Sequence, residues 1–229
     1  MIIVFQYPKL TNLMMKKVFL IITNLVLVSS LVFAQKDQKA TAILDEMSKK
    51  YQNMKSFSAS FTYGTEGNNA KMTESYKGDV TVKGAKFHLK MAGQEVFANG
   101  KDLYTYVKET NEVNITEFDP AMQEELSPTK IYTIYKKGYK YVFLEEVKEG
   151  SQFYEVVELS PEDKSSKIAK VQIKVNKSDK SVKSWKVWDK SGKRTVFRVD
   201  RFMPNAPADD KIFTFDKKLY PGVEVVDLR

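Results

Sequence analysis

Residues 97–107, FANGKDLYTYV, show most plainly how this chain is built. Apolar residues flank Asn99-Gly100, a dipeptide that readily supplies the positive φ of a tight turn, so the stretch reads as a β-hairpin. Side chains alternate between the faces of a strand, which sends Leu103, Thr105 and Val107 one way and Tyr104 and Tyr106 the other. A solvated antiparallel sheet is apolar on one face. Here both faces are apolar, so something must cover the second.

The pattern extends outward from this hairpin in both directions. Upstream, Phe57, Ala59, Phe61 and Tyr63 alternate with Ser and Thr, GTEGNN makes a turn, and the alternation resumes through Met72, Tyr76, Val80 and Val82, then Phe87, Leu89 and Met91. Earlier still, the period changes. From Asp37, a plausible N-cap, Ala40, Ile43, Leu44, Met47, Tyr51 and Met54 recur at spacings of three and four, the mark of an amphipathic helix of about four turns. Downstream, NEVNITEFDP continues the sheet. Pro128 and Gly138 then bracket PTKIYTIYKKG as a short helix with Ile131, Ile134 and Tyr135 on one stripe. Strand signals return in YKYVFLEEV, SQFYEVVELSP, IAKVQIKVN, a hairpin turning at Ser191-Gly192, and IFTF. The sum is about ten or eleven strands and two helices. No crossover helices separate the strands, so the class is α+β with an antiparallel sheet.

The address is written at the amino end. Residues 15–34, MKKVFLIITNLVLVSSLVFA, place Lys16 and Lys17 before an apolar run that ends in small residues ahead of Gln35, the form of a secretory signal peptide. Residues 1–14 precede an initiator-like Met15. The run contains Thr23, Asn24, Ser29 and Ser30, which weakens a reading as a membrane anchor. Residues 35–229 then form a single domain with room for a sizeable core. The leader's three lysines and no acid lower the net charge from +8 to +5. Such a mildly basic exported chain with interspersed charges gives no reason to expect nucleic acid. Cysteine is absent. Stability must come from the core instead of disulfides, and a bacterial lipoprotein's acylated Cys is missing at position 35, so the chain is not itself lipid-anchored.

Composition also narrows the chemistry. With no Cys and one His, thiol catalysis and multi-histidine metal sites are excluded. His88 lies between Phe87 and Leu89 on the polar face of a strand, where a lone histidine is solvated or structural. Acids are plentiful, but nothing singles out a catalytic pair, and no phosphate-cradling glycine loop is present. Binding, not catalysis and with no cofactor, is the expectation.

Four stretches together carry a family resemblance: MKSFSASFTY, YKGDVTVKGAKFHL, VFANGKDLYTY and FTFDKKLYPGVEVVDLR. In order and spacing they are similar to the LolA family of periplasmic outer-membrane lipoprotein carriers, in particular forms from Bacteroidetes-type bacteria. The resemblance implies an incomplete, strongly curved antiparallel barrel whose concave apolar face is capped by helices. It implies a cavity for lipoprotein acyl chains, monomeric action between an inner-membrane ABC-type release complex and an outer-membrane acceptor, and a cover of lid helices or lipid for the second apolar face. The residues expected at the cavity and lid are Phe61, Tyr76, Phe87, Leu89, Met91, Phe97, Leu103, Tyr104, Tyr106, Ile131, Ile134 and Tyr135. Where well-studied members carry an Arg-Pro latch to the lid, this chain has Lys83-Gly84, a weaker donor without the planar fork. A carrier or sensor of another envelope amphiphile on the same fold is the alternative.

Overall fold

The computed structural model describes residues 37–67, 69–119 and 128–229. The signal-peptide reading lies outside the described residues. Helix α1 spans Gln38–Gln52. Its N-cap is Asp37, as the sequence predicts: one carboxylate oxygen accepts the Ala40 N–H at 3.0 Å, and the other accepts the Phe143 N–H at 2.8 Å. The expected stripe of Ala40, Ile43, Leu44, Met47 and Tyr51 is buried.

Twelve strands follow: β1 (Phe57–Glu66), β2 (Met72–Lys83), β3 (Lys86–Met91), β4 (Gln94–Ala98), β5 (Asp102–Val107), β6 (Glu112–Glu117), β7 (Tyr139–Glu149), β8 (Gln152–Pro161), β9 (Ile168–Asn176), β10 (Val182–Asp189), β11 (Arg194–Pro204) and β12 (Glu224–Asp227). They form one sheet in the order β12-β6-β5-β4-β3-β2-β1-β11-β10-β9-β8-β7, and its ends do not pair, so the barrel stays open. Two local meanders, β1–β6 and β7–β11, meet along the antiparallel β1–β11 seam. β12 alone pairs in parallel, with β6.

Three local readings are corrected. The hairpin turn slips one residue: the Asn99 N–H bonds the Asp102 carbonyl, and Gly100, at φ +93°, takes the first central position. The Asn99 side chain accepts the N–H groups of Lys101 and Asp102 instead of supplying the turn's backbone. The helix expected after Pro128 is a succession of turns ending in one 3₁₀ turn, Ile134–Lys136. So short a segment cannot repay helix nucleation and takes whatever shape its packing dictates. The strand expected at IFTF is also a 3₁₀ turn, Asp210–Phe213, because the Asp209 carboxylate accepts the Lys211 N–H and curls the chain.

Alternation along each strand gives the sheet a concave apolar face. Helix α1 covers its β7–β10 half, pinned at one end by Asp37 on β7 and at the other by the Tyr51 hydroxyl, which accepts the Val182 N–H at 3.0 Å. Val157, Leu159, Val171, Ile173 and Val175 are fully buried within the core. The other half of the concave face is not filled in this way.

Candidate ligand-binding cavity

Over β1–β5 and the adjoining parts of β10 and β11 the concave face forms a cavity of about 690 Å³, within the usual range for small-molecule sites. Its floor is built in rows, because residues paired across neighbouring strands project to the same face. One row is Leu103, Ala98, Phe87, Val82 and Phe57; the next is Thr105, Val96, Leu89, Val80 and Ala59. Beyond these come Met91 paired with Gln94, and Phe61 paired with Gly78. One end of the cavity is closed by the last turn of α1 and the turn after Pro128: Tyr132 stacks on Tyr51 at 5.3 Å and 10°, and Ile131 lies beside them in the wall. Burial raises both tyrosine hydroxyls above their ordinary pKa, so they stay neutral. An uncharged, largely apolar chamber can hold flexible hydrocarbon. Among the described residues its lining holds no nucleophile-base pair.

The expected site residues divide between four places. Phe61, Phe87, Leu89, Met91, Leu103 and Ile131 line the cavity. Ile134 and Tyr135 do not; they are buried in the main core, where the Tyr135 hydroxyl donates to Asp45 of α1 at 2.5 Å and ties the turn to the helix. Tyr76 stands at the rim, 46% exposed. Phe97, Tyr104 and Tyr106 lie on the opposite face of the sheet, as the alternation with Leu103 requires.

That opposite face has its own cover. The chain after β11 crosses it as a strap: the Phe215 ring stacks on Tyr104 at 6.3 Å and Tyr106 at 6.1 Å, meets Phe97 edge-on at 5.8 Å, and stacks on Tyr220 at 4.5 Å. The second apolar face of the 97–107 hairpin is therefore covered by the protein's own carboxyl-terminal segment, where lid helices or lipid were expected. His88 belongs to this layer, stacked on Phe97 at 4.2 Å with its Nε2 3.0 Å from Glu95. Burial depresses its pKa, with Glu95 opposing. The Tyr220 hydroxyl donates to the same Glu95. Lys83 serves the strap too: its Nζ reaches Asp210 at 2.7 Å and the Ala208 carbonyl at 3.2 Å, so its partners lie in neither α1 nor the turn after Pro128.

Cavity residues that the sequence reading missed include Tyr51, Phe57, Tyr132, Trp185, Phe197 and Phe202. Phe57, Trp185 and Phe197 sat in recognised strands, but which face turns inward across the distant β1–β11 seam is not written in local alternation. Tyr51 was read correctly as the buried stripe of a helix; only its position at the end of that stripe makes it a wall.

A family model described as outer membrane lipoprotein carrier protein LolA matches residues 52–216. No curated protein matches the sequence. Among solved structures, an uncharacterized conserved protein from Thermus thermophilus is similar at a TM-score of 0.57 and 14% identity, over 83% of this chain and 99% of that one. A LolA superfamily protein from Nitrosomonas europaea is similar at a TM-score of 0.41 and 18% identity, over 77% of this chain and 98% of that one. The Thermus likeness shows the fold alone.

Proposed function

The chain belongs to the LolA family of outer-membrane lipoprotein carriers, and from that premise we propose that it is a periplasmic chaperone which holds lipoprotein acyl chains in the concave cavity and carries them from the inner to the outer membrane. One observation carries the reading: an apolar chamber of about 690 Å³ persists on a sheet whose other half is filled to full burial by α1. The lining of an apolar space this large lacks packing partners within the fold, and hydrocarbon seated there supplies them. Each methylene withdrawn from water contributes roughly 0.8 kcal/mol, so an acyl chain does not cross an aqueous compartment without such a chamber. Handover, as a monomer, would run from an ABC-type release complex to an outer-membrane acceptor. The role is binding, not catalysis: the sole histidine is committed to Phe97 and Glu95 on the face away from the cavity.

The test is direct. Protein purified from its native envelope is extracted with organic solvent and the extract analysed by mass spectrometry, and the purified protein is added to spheroplasts to assay lipoprotein release. Co-purifying acylated lipoprotein and release into the soluble fraction are expected. A different amphiphile in the extract, with no release, would transfer the cavity to the alternative carrier role.

A further inference from the structure

The last concave row differs from the others. Trp185 of β10, Phe197 of β11, Tyr63 of β1 and Tyr76 of β2 are direct register partners, strand to strand. Their rings form a continuous series: Trp185 to Phe197 at 5.1 Å and 13°, Phe197 to Tyr63 at 5.8 Å and 14°, Tyr63 to Tyr76 at 5.7 Å and 36°. The first two line the cavity, and the last is nearly half exposed. The series therefore runs from an apolar wall out to water.

Polar groups gather at this end. The Tyr63 hydroxyl accepts the Ala92 N–H at 2.9 Å, reaching across β2 to the β3–β4 turn. Gln94, on the other side of that turn, lines the cavity and is exposed. Among the described residues neither its amide nor the Tyr76 hydroxyl has a hydrogen-bond partner. At the far end the wall is Tyr51, Phe57 and Ile131, each less than 9% exposed, with the Tyr51 hydroxyl already accepting the Val182 N–H. The chamber is thus dry at the α1 end and wet at the Tyr76 end. Tyrosine and tryptophan favour such boundaries, where a flat ring meets hydrocarbon and its edge meets water.

We infer that the row Trp185–Phe197–Tyr63–Tyr76, with Gln94 beside it, seats the junction between the acyl chains and the polar part of a glyceryl-ester lipopeptide, whose chains run from there toward Tyr51 and Ile131. The amide and phenol of Gln94 and Tyr76 donate to ester carbonyls, and the rings flank the first methylenes. The inference rests on the carrier reading and adds the direction in which cargo lies.

Two dipalmitoyl-glyceryl cysteinyl peptides test it, one with a diazirine beside the glyceryl carbon and one with it at the chain terminus. After irradiation with the full-length processed protein, peptide mapping should place the glyceryl label on segments containing Tyr76 or Gln94 and the terminal label near Phe57 or Ile131. The reverse placement, or equal labelling of both ends, overturns the inference. As a second measurement, Tyr76→Ala combined with Gln94→Leu should lower lipopeptide affinity about tenfold relative to palmitate; equal loss for both probes means the row is wall only and overturns it too. Both sites are exposed, so the variant folds. If the unmodified protein binds neither probe, the carrier reading itself has failed.

Discussion

A Cβ at position 78 would lie 2.5 Å from the Phe61 ring and 2.7 Å from the Lys90 carbonyl oxygen. Phe61 packs over Gly78, its register partner, and uses the space a side chain would take. The Lys90 backbone cannot yield, so Gly78→Ala should cost about 1–3 kcal/mol through overpacking, read as a lower urea midpoint. Since Phe61 lines the cavity, the variant should also bind acyl lipid more weakly. In the sequence Gly78 is one glycine among several in a strand-rich region. Its role as the floor beneath a ring depends on the pairing of β1 with β2, which local composition does not contain. Lys83 makes the same point: a strand-end lysine is visible, but its partner is 127 residues away.

At the scale of an element, the turn after Pro128 combines two roles that the sequence ran together. Ile131 faces the cavity, while Ile134 packs in the main core and Tyr135 anchors to Asp45. Ile134→Ala should therefore cost about 2–4 kcal/mol in equilibrium unfolding, as core truncations do. Ile131→Ala should cost less in the empty protein and show its effect in lipid affinity, measured by displacement of a fluorescent fatty acid. Equal stability losses would mean the turn is core throughout. The apolar stripe was legible, and so was α1, because a period of three to four over fifteen residues is hard to mistake. What failed was the conformation of short segments. The segments 128–136 and 210–213 are governed by a few capping and packing contacts, and β12, four residues long and mostly exposed, leaves almost no periodic trace.

On the scale of the whole molecule, the strap is clamped at two places: Asp210 between Lys83 and Lys86, and Arg229 against Asp102. The hydrogen bonds from Lys83 and Lys86 hold the Asp210 carboxyl down at about 2, below its ordinary 3.8. A carboxylate depressed in the folded state stabilises fully above its unfolded pKa and ceases to do so as pH falls through the folded one. Asp210→Asn should accordingly lower the urea midpoint near neutrality, and the gap to the parent protein should narrow between about pH 4 and 2. A gap that persists unchanged at pH 2 would show that the clamp is not ionic. The antiparallel sheet itself was foreseeable from hairpin signals and the lack of crossovers, and its openness from the family resemblance; the strap was not, because nothing in FTFDKKLYPG says which face it lies on. The β1–β11 seam carries a consequence in time. A chain made from its amino end completes β1 long before β11 exists, so Phe57 must wait for Pro204. Each meander can form from neighbouring contacts, but the bowl takes shape only when the seam closes, a distant pairing of the kind that slows folding. Until then both seam edges present unpaired backbone to any passing strand, and guarding them falls to whatever attends the nascent chain.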